Sequence, residues 1–239
     1  MNSYVVFWLV FILLLAIIIF CDKKFNLLRD VSDATKKPYS YSRVQMAWWT
    51  LIILSSFISI YLLTGTIPTF NSSTLILLGI SAGTTAAASM IDVTDQAKNI
   101  KLSSDQEGEN FFLDILSDAN GVSIHRLQTV IFNIIIGFWF IEEVNCHLHD
   151  LAGNLATCAT VAIDCKTGFI NAVIPVVTQN NLILLGVSAG TYAALKTNEN
   201  KPGMQSSTSA QQPPAQAQAA QQIPAAAQPA QQSPAANNP

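Results

Sequence analysis

Two apolar segments of this chain have almost the same sequence, and this duplication constrains the fold more than any other feature. Residues 74–87 read TLILLGISAGTTAA, and residues 181–194 read NLILLGVSAGTYAA. Each follows another apolar run that opens with the same polar pattern, Ser-x-x-Arg-x-Gln, at residues 40–45 and 123–128. Internal duplication of apolar segments is typical of multi-pass membrane proteins.

The composition also favours a membrane protein. Half of the residues are hydrophobic and 11% are charged, whereas about 25% are charged in an ordinary soluble domain. The predicted spans are roughly residues 5–20, 44–63, 74–91, 127–141 and 181–195. At 1.5 Å per residue the second is about 30 Å long, while the last two cover only about 22 Å. A start of the fifth near Pro175 would lengthen it. We predict an all-α fold, a polytopic membrane helical bundle of about five transmembrane helices with two parallel internal repeats.

The basic residues determine the predicted orientation. If residues 21–43 lie on the cytoplasmic side and the loops alternate, eleven of the twelve Lys and Arg residues lie inside and only Lys166 lies outside. This bias is the positive-inside pattern of membrane proteins. We predict an external N-terminus, a cytoplasmic C-terminus and repeats that both enter from the cytoplasm. Residues 1–20 lack the basic start and cleavage site of a signal peptide, so we predict an uncleaved anchor helix.

These predictions divide the chain into six parts. The second part, residues 21–42, is basic and the fourth, residues 92–122, is acidic. These two parts therefore either dock on each other or stay separately solvated. In the fourth, residues 111–118 read as an amphipathic helix that runs into a turn at 119–121. The last part, residues 197–239, has too little apolar surface to fold, so we predict that it is a disordered tether. The parts are an N-terminal anchor helix (1–20), a basic cytoplasmic segment (21–42), repeat 1 with two transmembrane helices (43–91), an acidic cytoplasmic loop (92–122), repeat 2 with two transmembrane helices and an external Cys-containing loop (123–196), and a Gln/Ala/Pro-rich cytoplasmic tail (197–239).

The repeated glycines match two different patterns. Gly-x-Ser-x-Gly, with Ser81 or Ser188 at its centre, is the nucleophile elbow of hydrolases, which needs a strand–turn–helix context. Here the pattern occurs twice, inside apolar segments, so we predict no catalytic residue and no enzyme. The same letters spell Gly-x-x-x-Gly, whose small residues let two membrane helices approach closely. We expect the third and fifth spans to pack against each other or against a neighbouring subunit. The predicted helix-packing residues are Gly79, Gly83, Ala87, Gly186, Gly190 and Ala194.

The repeated Ser-x-x-Arg-x-Gln pattern marks the predicted inner face of the membrane. Arg43 and Arg126 are either ordinary anchors whose charges reach the headgroups, or a paired contact site for lipid phosphate or a partner protein. In the second interpretation Gln45 and Gln128 contribute to the contact. The serines that open the pattern are suited to helix N-caps.

The predicted external loop contains three cysteines, Cys146, Cys158 and Cys165. In an oxidising compartment two of them can form a disulfide, which leaves one over. Cys146 and Cys158 with His147 and His149 also offer zinc ligands, although their spacing matches no standard site. We favour a disulfide over a metal and expect no metal and no cofactor.

Three runs together resemble a group of uncharacterised bacterial multi-pass membrane proteins. They are PYSYSRVQMAWW, FFLDILSDANGVSIHRLQ and the two LLG-x-SAGT segments, within roughly residues 25–195. The resemblance implies a location in the bacterial inner (cytoplasmic) membrane. It implies no activity, cofactor or catalytic residue.

Our leading hypothesis is an integral membrane anchor or scaffold. Small-residue helix faces would assemble it as a homo-oligomer or with a membrane partner, and the loops and tail would engage a soluble cytoplasmic protein. The alternative is a small channel or transporter for a neutral or small solute. The predicted spans contain no Asp, Glu, Lys or Arg of the kind that ion or proton pathways use, which argues against this alternative. The net charge of −3 predicts no nucleic-acid partner.

Overall fold

The computed structural model describes residues 2–32, 34–98, 100, 107–118, 121–158 and 163–199, without the side chains of 152–158, 163–166 and 198–199. These residues form seven helices and one two-stranded hairpin. The elements are α1 (Ser3–Phe25), α2 (Tyr41–Thr64), α3 (Ser72–Ala97), α4 (Phe111–Leu116), β1 (Ser117–Asp118), β2 (Gly121–Val122), α5 (Ile124–Cys158), α6 (Ile163–Ala172) and α7 (Gln179–Glu199).

Local signals set most of the helix ends. The side chain of Asn71 accepts the backbone N–H of Thr74 and caps α3, as a short polar side chain does at an N-cap. α2 ends at Gly65, whose φ of 66° is in the left-handed region that favours glycine. Asn26 has the same backbone conformation, with φ of 54°, after α1. Ser40 occupies the predicted N-cap position of α2, but its hydroxyl makes no capping bond and lies against that of Ser42.

Four helices are long and apolar enough to cross a membrane, as judged by length and composition in the described part of the chain. They are α1, α2, α3 and the Ile124–Leu151 portion of α5. The prediction of a helical membrane protein is therefore confirmed at this level. α7 contains the fifth predicted span and has 21 residues, but it is less apolar and is not among the four. The count of five remains a prediction.

Several helices extend beyond the predicted spans. α3 continues to Ala97 and α5 to Cys158, so both run well past the apolar segments that predicted them. α7 begins at Gln179, not near Pro175, and it ends at Glu199, inside the predicted tail. The rest of the predicted tail lies outside the described residues. The predicted helix at 111–118 is present as α4 but ends at Leu116, where the short β hairpin begins.

Long-range contacts show how the helices run relative to one another. α3 and α7 are parallel, because the backbone N–H of Val177 donates to Ser73 at their starts and Lys196 pairs with Asp92 at their ends. α2 and α5 are also parallel: Gln45 contacts Asn133 near the starts, and Trp49 contacts Phe140 further along. This geometry is what two parallel repeats require, although the duplication itself remains a prediction.

Large side chains fill the interior of this bundle. α2 packs against α1, α3 and α5, while α7 packs against α3 and α5. The largest fully buried side chains belong to one apolar cluster, to which all five of these helices contribute. They include Phe7, Trp49, Ile52, Leu77, Phe140 and Leu185.

Candidate functional site

A buried ion cluster joins three distant parts of the chain at one end of the bundle. We call this the Lys196 end: α1, α3 and α7 end there, and α2 and α5 begin there. Nζ of Lys196 lies 2.9 Å from Oδ2 of Asp92 on α3 and 3.1 Å from Oδ2 of Asp30, which follows α1. The side chains of Lys196 and Asp92 are 5% and 3% exposed. Charges this well buried require partners, and here each has one.

The environment keeps Lys196 protonated. It lies beyond the predicted fifth span, in the last turns of α7. Burial favours the neutral amine, but Tyr192, Asp30 and Asp92 outweigh that effect and raise the pKa of Lys196. Its positive charge links α3, α7 and the segment after α1 through Asp92 and Asp30.

A second buried cluster surrounds Asn133 of α5 at the same end. Its Oδ1 accepts the indole N–H of Trp49 at 2.7 Å and the amide N–H of Gln45 at 3.3 Å. Its Nδ2 donates to the backbone oxygen of Thr129 and to the hydroxyl of Tyr41. The backbone oxygen of Asn133 accepts the indole N–H of Trp48 at 3.1 Å. One amide thus holds the first turns of α2 against α5.

Aromatic contacts connect this cluster to α7. The rings of Tyr41 and Tyr192 are 4.8 Å apart, and the guanidinium of Arg126 lies 5.3 Å from the ring of Tyr192. Arg126 also donates to the backbone oxygen of Ser117 in β1. These contacts link α2, α5 and α7 to the β hairpin.

The two loops at the Lys196 end dock on each other, which is the first of the two predicted alternatives. Nζ of Lys36 donates to the backbone oxygen of Glu109 at 2.7 Å, and the N–H of Gly108 donates to the oxygen of Lys36. The carboxylate of Asp114 accepts the N–H groups of Tyr39 and Glu109. We call residues 26–32, 34–40, 107–118 and 121–123 the loop module.

Close packing and a second set of bonds hold the loop module in place. At Gly108 a Cβ would lie 2.9 Å from the Cα of Pro38, so only glycine permits this approach. The rings of Tyr39 and Phe111 meet edge to face, and the hydroxyl of Tyr39 donates to Asp22 in the last turn of α1. The loop module is therefore held together by its own contacts and is also bound to the helical bundle.

The predicted helix-packing residues are less buried than several of their neighbours on α3 and α7. The buried residues on α3 include Leu77, Ser81, Thr84 and Ala88, and those on α7 include Leu185 and Ala189. Gly79 is exposed, as is Ala194, while Gly83, Ala87, Gly186 and Gly190 are partly buried. A Cβ at Gly79 or Gly83 would meet nothing within 4 Å, and one at Gly186 would make ordinary contact with Ile80 at 3.7 Å. A role in contacts with another chain remains a prediction.

The four residues of the predicted inner-face contact site differ in their surroundings. Gln45 is buried and bonded to Asn133, whereas Gln128 is exposed. Arg43 is partly buried. Arg126 is engaged with Ser117 and Tyr192. A shared role of these four residues in lipid or partner contact remains a prediction.

The Gly-x-Ser-x-Gly segments are helical throughout. Ser81 is buried within α3, and its hydroxyl donates to the backbone oxygen of Leu77. Thr84 and Thr191 likewise bond back to their own helices, at Ile80 and Val187. Thr85 makes a bond between helices, to the backbone oxygen of Ser42.

The predicted cysteine loop is only partly described. Cys146 is a free, exposed thiol on α5, and the side chains of Cys158 and Cys165 lie outside the described residues. His147 is 3.7 Å from Glu143 and also contacts the backbone oxygen of Val173, while His149 is 3.8 Å from Asp150. Among the described side chains, no group of three or more His, Cys, Asp or Glu residues is placed to hold a metal.

Neither the ion cluster nor the Asn133 cluster was predicted from the sequence. Asp92 and Lys196 have opposite charges, and each follows a copy of the glycine motif. If the two copies pack in parallel, the two charges come to lie at the same end, so the sequence contained a signal for their contact. Asn133, a polar residue inside an apolar run, is a second available signal, because such residues in membrane helices normally have a partner.

The fold defines a multi-helix protein with membrane-length apolar helices and a folded loop module at one end. No family model, curated protein or solved structure matches the chain.

Proposed function

We propose that this protein is an integral membrane anchor or scaffold that presents the loop module and the C-terminal tail to soluble partners. In this proposal the Lys196 end lies in the cytoplasm of a bacterium, the chain is embedded in the inner membrane, and residues 181–195 of α7 form the fifth span. The small-residue faces of α3 and α7 assemble it with further copies or with a membrane partner.

The packed interior is the observation that carries the proposal. Trp49, Phe140 and Leu77 are fully buried and come from three different helices that meet in the bundle. A solute pathway needs space or a line of polar groups through the centre. Here bulky apolar side chains occupy that place, and the buried Ser55 and Ser56 donate to their own helix backbone. This favours an anchor over a channel or transporter.

The ion cluster also fits a structural role. A proton or ion relay uses ionisable residues placed along the membrane depth. Asp92 and Lys196 instead lie at the ends of their helices and pair with each other and with Asp30. Their contact supports a rigid end to the bundle, on which a partner can dock.

The helical setting of Ser81 supports a function without catalysis. A nucleophile elbow exposes its serine on a sharp turn beside a base. Ser81 is buried in a continuous helix, and its hydroxyl donates to Leu77.

The first experiment measures assembly. The mass of the purified protein in lipid nanodiscs is compared for the wild type and for a Gly83→Leu, Gly190→Leu double variant. We expect a defined wild-type assembly that the variant dissociates. A monomer in both cases would leave a different protein as the partner and would remove the small-residue faces from the proposal.

The second experiment tests the channel alternative. Vesicles containing the protein are mixed with glycerol or urea, and their shrinkage and recovery are followed by light scattering. We expect rates equal to those of protein-free vesicles. A rate increase that depends on the protein would overturn the scaffold role.

The tail provides a third test. Proteins that co-purify with the full chain are compared with those bound by a chain ending at Glu199. The proposal expects loss of at least one soluble partner, while an unchanged set would leave the loop module as the docking surface.

A further inference from the structure

Large apolar side chains are exposed on the loop module and at the start of α5. Phe112 is 71% exposed, Val122 59% and Ile124 78%. Phe111 and Leu113 are also exposed. A soluble surface rarely shows this many large apolar groups within so short a segment, and such a patch normally marks a contact with a partner or a membrane.

The patch is continuous with the outward face of α5. Ile124, Leu127, Ile131, Ile135 and Phe138 are all exposed and recur at helical spacing. The later members lie in the middle of a helix that is long and apolar enough to cross a membrane, so lipid is their natural surrounding. Because Ile124 lies on the same face, the lipid contact continues to the first turn of α5, about 21 Å from Phe138 along the axis.

The bundle holds α4 beside that first turn. Ile115 of α4 is buried in an apolar cluster with Tyr41, Ala88 and Tyr192. The N–H of Ser123 donates to the backbone oxygen of Leu116 at 2.9 Å, and Arg126 donates to Ser117. α4 therefore has a fixed position, with Phe112 pointing away from the protein.

The side chains at the end of α1 also place this end of the bundle at the headgroup level of the membrane. Tyr39 connects its last turn to α4, through Asp22 and the ring of Phe111. There, exposed Phe20 and Phe25 lie 5.9 and 5.4 Å from Nζ of Lys24. Aromatic and lysine side chains at a helix end are typical of the headgroup level of a membrane.

The charge of the segment argues against electrostatic binding. Residues 107–127 contain Glu107, Glu109, Asp114 and Asp118 against Arg126 and His125. Anionic lipid attracts clusters of Lys and Arg, and this segment has none. Any membrane contact here must come from burial of apolar surface.

We infer that α4 and the β hairpin form an interfacial anchor, in which Phe112, Val122 and Ile124 enter the boundary between headgroups and acyl chains. The occupant of the patch is thus the lipid leaflet at the Lys196 end. The polar side of the loop module, with Glu107 and Glu109, faces water. This inference requires only that the helices lie in a bilayer and does not depend on the scaffold role.

The test uses the wild-type chain in nanodiscs with two photoactivatable phospholipids. One carries its diazirine near the glycerol end of the acyl chain, and the other carries it at the chain terminus. Labelled peptides are mapped by mass spectrometry. We expect the first probe to label residues 111–124, and the second to label α5 around Phe138 but not residues 111–124.

Variants and lipid composition sharpen the result. Phe112→Ser should lose the label at its position, while the matched change Asn110→Ser should leave the pattern intact. Labelling should be the same with and without anionic lipid. If neither probe labels residues 111–124 while Phe138 is labelled, the interfacial anchor is ruled out even though the chain is in the bilayer. If Phe138 is also unlabelled, the membrane placement of α5 itself is wrong and the inference is overturned with it.

Discussion

Nζ of Lys196 lies 2.9 Å from Oδ2 of Asp92 and joins the last turns of the two helices that carry the repeated glycine motif. Both side chains are almost fully buried. The pair therefore holds α3 and α7 together at the end of the bundle where Asp30 also contacts Lys196.

Loss of Lys196 should destabilise the protein strongly. Lys196→Met leaves the carboxyl group of Asp92 buried without its cation, which typically costs about 3 to 5 kcal/mol. Thermal unfolding in detergent, followed by helical circular dichroism, measures the effect. Lys98→Met, at an exposed position at the end of α3, is the control. Adding Asp92→Asn to Lys196→Met should recover much of the loss, and no recovery would contradict the pairing.

The amide of Asn133 should matter far more than that of Gln128. Asn133→Ala leaves the indole N–H of Trp49 and the amide of Gln45 without an acceptor in the interior. Each unsatisfied buried group costs about 1 to 3 kcal/mol. Gln128→Ala changes an exposed side chain, which typically alters stability by less than about 0.5 kcal/mol. Equal unfolding curves for the two variants would contradict the Asn133 cluster.

Two helical glycines should respond oppositely to alanine. At Gly137 an added Cβ would lie 2.5 Å from Nε1 of Trp48, whose ring is held by the backbone of Asn133. Overpacking of this kind costs about 1 to 3 kcal/mol. At Gly83 the space is open, and alanine favours a helix by up to about 1 kcal/mol. Unfolding of both variants in detergent tests this difference. In the monomeric chain, destabilisation by Gly83→Ala would contradict the open space around this glycine.

Asp114 should control the order of the loop module. Asp114→Ala removes the acceptor for the N–H groups of Tyr39 and Glu109. Hydrogen exchange at these two amides should become faster, with exchange in α2 and α5 unchanged. Glu107→Ala, at an exposed acidic position nearby, is the matched control. Unchanged exchange in the Asp114 variant would show that other contacts suffice to dock the loops.

Some elements follow directly from local sequence. Apolar runs bounded by short polar residues predict the membrane-length helices α1 to α3, and the cap at Asn71 and the left-handed Gly65 mark the α2–α3 turn. These features depend on interactions between residues a few positions apart. Helix ends were harder to predict, because α3 and α5 continue through polar residues beyond their apolar segments.

Equivalent residues of the repeated motif show the limit of such reasoning. Gln45 and Gln128 occupy the same place in Ser-x-x-Arg-x-Gln, yet the first is buried against Asn133 and the second is exposed. The difference arises because Gln45 faces α5 and Gln128 faces outward. No property of the motif itself distinguishes them.

The sequence by itself therefore determined the class of protein, the long apolar helices and the repeated pattern, since hydrophobicity and capping act over short distances along the chain. Only the tertiary structure decided that Asp30, Asp92 and Lys196 meet, that the two loops dock, and that Phe112 and Ile124 stay uncovered. Those outcomes depend on which helix faces pack together, and that choice depends on the combined shape and polarity of segments far apart in the chain.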